Sequence, residues 1–220
     1  MIELQDPEKK NLSIVFLGDF NPTIFQPEWF AAEDLIRKRE SEDAKIEIIH
    51  PEIVVITFDW CRLEVTRDRF VLSTKQDPYY EVLRDLVLGT FKLLRHTPIK
   101  MVGINMDMHF RMRSIEEWHN FGNLLAPKQI WDGILEKPGM RSLVMEESVR
   151  QDGLKGYVRV MIEPSKKIQS GVCFKINDHY EVKDIKAAMG SDEIIGILEQ
   201  SWDKSLKRAT NIIGSLLKRK

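Results

Sequence analysis

Ile99-Lys100-Met101-Val102-Gly103-Ile104-Asn105-Met106-Asp107-Met108-His109-Phe110-Arg111-Met112 is the stretch on which the fold turns. One parity runs Val102, Ile104, Met106, Met108, Phe110 and Met112, and the other contains Asn105, Asp107, His109 and Arg111. Successive side chains of a strand point to opposite faces, so this pattern predicts a long strand with one buried and one wet face. An antiparallel sheet with a single covered side displays this alternation.

Working outward from that strand, the apolar runs at Leu12–Leu17, Lys45–His50, Ile53–Phe58, Cys61–Thr66 and Phe70–Leu72 read as further strands. Downstream, the candidates are Arg141–Val149, Tyr157–Glu163 and Gly171–Tyr180, with Gln151-Asp152-Gly153 as a turn between the first two. Pro27 opens a helix carrying Trp29, Phe30, Leu35 and Ile36, which ends in the charged stretch Arg37–Asp43. Leu83, Leu86, Val87, Phe91 and Leu94 recur at helical spacing after Asp77-Pro78. Ser114 and Glu117 form a capping-box pair for a helix through Leu125, and a second short helix is expected over Pro127–Leu135. The chain closes on a long helix at 191–217, with Ser191 as N-cap and Ile194, Leu198, Trp202, Leu206, Ala209, Ile213 and Leu216 on one stripe.

The expected class is α+β: a pseudo-duplicated antiparallel sheet with long helices on one face. Residues 1–10 would be an N-terminal arm, and 11–220 one domain of two similar halves, about 11–96 and 99–217. Each half runs strand, helical segment, several strands, then a long amphipathic helix. That order is similar to the duplicated saddle of the TATA-binding-protein-like fold; the similarity is one of shape and implies no function.

With 43% apolar residues the chain can build a core, which excludes bulk disorder. Its 33 basic and 34 acidic side chains nearly cancel, so the basic excess usual in a dedicated nucleic-acid binder is missing. Cys61 and Cys173 each sit in an apolar run and are expected as buried free thiols of a reducing, cytoplasmic protein. The first ten residues lack a signal-peptide apolar core, and no apolar run reaches the ~20 residues of a membrane helix.

No glycine-rich phosphate loop, H-E-x-x-H, G-x-S-x-G or EF-hand motif occurs, so no reaction is named. No cofactor is expected, and no two histidines have local metal-ligand spacing. The candidate binding residues are Asn105, Asp107, His109 and Arg111 on the polar parity, joined from neighbouring strands by Arg159 and His179. Tyr157, Glu163, Lys175 and Asn177 share those neighbouring parities. A solvated sheet face would look the same, and a carboxylate beside an imidazole could also orient a general base.

The reading reached is a non-catalytic module that binds a protein or small-molecule partner through an uncovered sheet face. Its alternatives are a sheet-based nucleic-acid binder and an enzyme with a dispersed site around Asp107 and His109. The near-heptad stripe at 191–217 adds the expectation of a homodimer through that helix.

Overall fold

The expected central strand is β6, Ile99–Arg111, in the computed structural model, which describes residues 6–185 and 189–219. It pairs along its length with β1 (Lys9–Gly18) on one side and β9 (Gly171–Glu181) on the other, both antiparallel. Val102, Ile104, Met106, Phe110 and Met112 are buried and Met108 is half-buried, as the alternation requires. Around this core trio the sheet grows in both directions. β5 (Arg69–Thr74), β4 (Arg62–Thr66), β3 (Ile53–Thr57) and β2 (Lys45–His50) extend beyond β1. β8 (Gly156–Pro164) and β7 (Leu143–Glu147) extend beyond β9. The result is one open antiparallel sheet of order β2-β3-β4-β5-β1-β6-β9-β8-β7. Residues 1–5 of the expected arm lie outside the described residues, while Lys9 and Lys10 belong to β1.

The helices α1 (Pro27–Ala32), α2 (Lys38–Glu42), α3 (Tyr80–Leu93), α4 (Ile115–Leu125) and α5 (Asp192–Leu217) connect these strands. The two long ones, α3 and α5, lie on the same side of the sheet. Leu83, Leu86, Val87 and Phe91 of α3 are buried together with Ile194, Leu198, Trp202, Ala209 and Ile213 of α5. Phe16, Phe25, Phe70 and Phe91 meet ring to ring at 5.0–6.2 Å, and Phe121 of α4 sits 6.0 Å from Phe174. Burying side chains of this size contributes ~1.5–3 kcal/mol each, the main stabilising term. The sheet therefore absorbs most of the α5 stripe. A second copy, expected at this helix, would meet its polar outward side.

Four local expectations change. The helix begun at Pro27 stops at Ala32, because Asp34 adopts a left-handed backbone (φ 55°), and the charged stretch becomes the separate α2. In place of a helix over 127–135 there is one 3-10 turn, Lys128–Trp131, followed by Gly133 at φ 76°. Ile130 and Ile134 stay exposed there, so this short segment has no buried face to repay helix nucleation. Ser191 does not cap α5; its hydroxyl donates to the Phe91 carbonyl at 2.8 Å and ties α5 to α3. Ser114 does cap α4, but Glu117 reaches the amide of Arg113 rather than that of the cap itself.

A carboxylate sits where the sequence pattern asks for an apolar group. Asp178 lies on the helix-covered face of β9, opposite Ile104 and Val158, and is buried. Arg150 donates to it at 2.5 Å, pairs with Asp152 at 2.6 Å and stacks 3.8 Å above the Tyr180 ring. Arg208 of α5 binds the same two carboxylates, and the Tyr180 hydroxyl is bonded to Ser205 at 2.8 Å. This network fastens the 150–153 turn and α5 to β9. The Arg150 guanidinium holds the Asp152 carboxyl down at about 2.

Two stability tests follow from this packing. Leu198→Ala should cost ~2–5 kcal/mol, read by chemical denaturation, since its side chain is fully enclosed. Asp178→Ala should cost about 3–5 kcal/mol, because it strands Arg150 without its buried partner. For Asp152 the native pKa lies below the unfolded value of ~3.9, so its contribution is present above pH 4 and is lost as the pH falls toward 2. Asp152→Asn should flatten the acid limb of a melting-temperature profile over that range; an unchanged limb would remove Asp152 from the network.

Candidate functional site

The parity of β6 that faces away from the helices carries Gly103, Asn105, Asp107, His109 and Arg111. Strand register extends each of these into a row across the sheet. One row reads Ser13, Asn105, Asn177, Arg159 and Glu146. The next reads Val15, Gly103, His179 and Tyr157, and a third Asn11, Asp107, Lys175 and Met161. The fourth holds Lys9, His109, Cys173 and Glu163. All six residues expected in the site thus share the open face. They do not share one location.

A trough of about 430 Å³ occupies the middle of this face. Asn105, Asp107 and His179 line it, together with Val15, Gly103, Tyr157 and Asn177. His109, Arg111 and Arg159 are not part of its lining. A larger hollow, about 910 Å³, lies beside α4 and the 128–140 segment and holds none of the expected residues.

His109 is engaged structurally. Its Nδ1 lies 2.8 Å from the Ser165 hydroxyl, which already accepts the amides of Lys167 and Ile168. The network assigns the serine proton to Nδ1 and leaves Nε2–H directed toward the Cys173 sulfur at 3.7 Å. Asp107 makes no hydrogen bond to this imidazole among the described residues, so the pair lacks the contact by which a carboxylate orients a base. Burial pushes the Asp107 carboxyl up and the His109 imidazole down. The Cys173 thiol is buried and pushed up to about 11, which keeps it protonated and unreactive at neutral pH. Cys61 is likewise a buried free thiol.

Several cations of this face are neutralised by neighbours; Arg69, which lines the trough, is not among them. Arg111 forks onto Glu8 at 2.5 and 3.0 Å, and Arg159 meets Glu146 at 2.7 Å. Lys175 meets Glu163 at 2.7 Å, and Arg62 bridges Glu47 and Glu64. Elsewhere Arg67, Lys92 and Arg95 pair with Glu52, Glu199 and Asp192. Among the described residues, no group of three or more His, Cys, Asp or Glu could hold a metal ion. No described helix is long and apolar enough to cross a membrane.

What sequence reasoning missed is Gly103. A mid-strand glycine costs roughly 0.5–1 kcal/mol relative to alanine, so its presence needs a cause. At Gly156 the cause is the backbone: φ is +129°, and an added Cβ would fall 2.0 Å from the His179 carbonyl oxygen. Gly103 has no such excuse. Its φ is not positive, the bulge in the β1–β6 ladder falls at Leu17/Gly18 and not at Gly103, and the nearest atoms to an added Cβ would be those of the Asn105 and Asn177 amides, at 3.3 and 3.7 Å. The glycine leaves room for these two amides at the trough floor. Beside it, Asn177 Oδ1 is buried without a hydrogen-bond partner, one of two such side-chain atoms among the described residues, the other being the Tyr80 hydroxyl. A glycine flanked by polar residues on a wet face was the available signal.

No protein-family model matches this chain, and no curated protein is significantly similar to it in sequence.

The two inward-leaning histidines give a pH test. Burial lowers the pKa of both His109 and His179 from the usual ~6.5, against the pull of Glu181 on the latter. The unfolded chain therefore binds more protons below pH 6.5, and stability is lost as the pH falls through that value toward the native pKa values. Asp107 acts in the opposite sense at lower pH. His109→Asn combined with His179→Gln should flatten the melting-temperature profile between pH 7.5 and 5.5; an unaltered slope would show that neither imidazole is held neutral by the fold.

Proposed function

We propose that the protein is a non-catalytic binding module whose working surface is the open sheet face, with its contact point at the trough around Gly103. The observation that carries this reading is the glycine in the centre of the sheet, bordered by Asn105, Asn177 and His179 at the trough floor, which neither φ, a bulge at that position nor close backbone demands. Strand glycines without a backbone cause often mark the close approach of a ligand. The trough also has the volume range and the few convergent polar groups typical of small-molecule sites.

The two alternatives find less support. Nucleic-acid binding draws on free cations, whereas Arg62, Arg111, Arg159 and Lys175 of this face are paired with carboxylates. An enzyme built on Asp107 and His109 would need them to cooperate, yet His109 is turned toward Ser165 and Cys173.

The test is a thermal-shift screen of a chemically diverse fragment set against the wild-type chain and Gly103→Leu. Fragments that raise the melting temperature of the wild type should lose that effect in the variant, whose side chain fills the trough. Retention of every hit by the variant would contradict the reading.

A further inference from the structure

We infer that the trough is a slot for one neutral planar nitrogen heterocycle of the nucleobase class, inserted edge-on over Gly103 between His179 and Val15. This inference rests on the open-face reading above and specifies its ligand.

The geometry begins with a stack. Tyr157 and His179 are cross-strand neighbours whose rings lie 4.4 Å apart and within 18° of parallel. The Arg159 guanidinium lies 4.6 Å from the centre of the Tyr157 ring. Neighbouring strands are ~4.8 Å apart, so a stack running from strand to strand along a row repeats at close to the spacing of aromatic planes. The next position in that row, after Tyr157 on β8 and His179 on β9, is Gly103 on β6. It has no side chain. Beyond it stands Val15 on β1. A flat ring placed over Gly103, where the Asn105 amide now leans, continues the stack on the side of His179 away from Tyr157 and is closed on its other face by Val15.

The edge of such a ring would meet amides. Asn105 and Asn177 face each other in the adjoining row, and both lie within 3.7 Å of the position a Gly103 Cβ would take. Asn105 is tethered to the Gly103 carbonyl at 3.3 Å, whereas Asn177 Oδ1 has no partner. A side-chain amide offers one donor and one acceptor side by side, the pairing that reads the edge of a purine or pyrimidine. A carbocyclic aromatic would leave that acceptor unmatched. Charge argues for a neutral ligand: Lys175 is engaged by Glu163 and Arg159 by Glu146, and the remaining charges of the lining, Arg69 and Asp107, are of opposite sign, with Asp107 two rows from Gly103. His179 itself is kept neutral by burial, so it stacks as an uncharged ring.

The experiment is a two-dimensional amide NMR titration of the full chain with adenosine, guanosine, cytidine and uridine, alongside the fragment screen. At least one nucleoside should shift the backbone signals of Gly103, Asn177 and His179 in a saturable manner. His179→Ala should weaken that binding by about tenfold or more, as loss of a base-stacking partner does. Gly103→Leu should abolish it while the spectrum remains that of a folded chain. Absence of any saturable shift with all four nucleosides, or binding indifferent to both substitutions, would overturn the inference. If fragments of other chemistry still bind at Gly103 in that case, the slot assignment fails while the open-face reading stands. If nothing binds there, both fail.

Discussion

The structure depends on the strict two-residue period of β6. Each residue of that strand is committed to one face, and the strand is hydrogen-bonded along both edges, to β1 and to β9. A slip of one residue would carry Val102, Ile104, Met106 and Phe110 into water and Asn105, Asp107 and His109 under the helices. The apolar burial that holds α3 and α5 to the sheet thus also fixes which polar groups stand together on the other side. Fold and candidate site are consequences of one register.

The helix-covered side holds a buried carboxylate, and it is expensive to leave unpaired. Asp178 sits in the core parity of β9 but is matched by Arg150 and Arg208, with Tyr180 and Ser205 completing the surroundings. Replacing such a network by well-packed apolar residues can be neutral in stability, so its retention fits a role in fixing how α5 and the 150–153 turn dock on β9. The open side shows the reverse pattern. Many of its charges pair with one another, and the Asn177 Oδ1 beside Gly103 is buried without a hydrogen-bond partner.

Much of this was legible in the residues. The alternation at 99–112 placed the covered and open faces correctly, and the stripes at 79–95 and 191–217 placed both long helices on one side, because periodicity reports burial directly. The two cysteines were readable as buried thiols from their apolar neighbours. Where local cues misled, tertiary context decided. Ser191 had the chemistry of an N-cap but found the Phe91 carbonyl, and the 127–135 segment had helical composition but no surface to pack against. Asp178 was hidden in Asn177-Asp178-His179, where three polar residues in succession blur the parity. The trough could not be read from one strand, since it exists only where the rows of β1, β6, β8 and β9 come into register.

The central claim is that Gly103 is there to keep a space open and not to let the chain fold. The most direct measurement is the unfolding free energy of Gly103→Ala. Its Cβ would press on the Asn105 amide at 3.3 Å, but that side chain is half-buried and held by one long hydrogen bond, so it can yield. The account predicts a variant as stable as the parent or more stable by about 0.5–1 kcal/mol, through the lower entropy of the unfolded chain. A loss of more than about 1 kcal/mol would show that the fold itself requires glycine at this position, and would contradict the account.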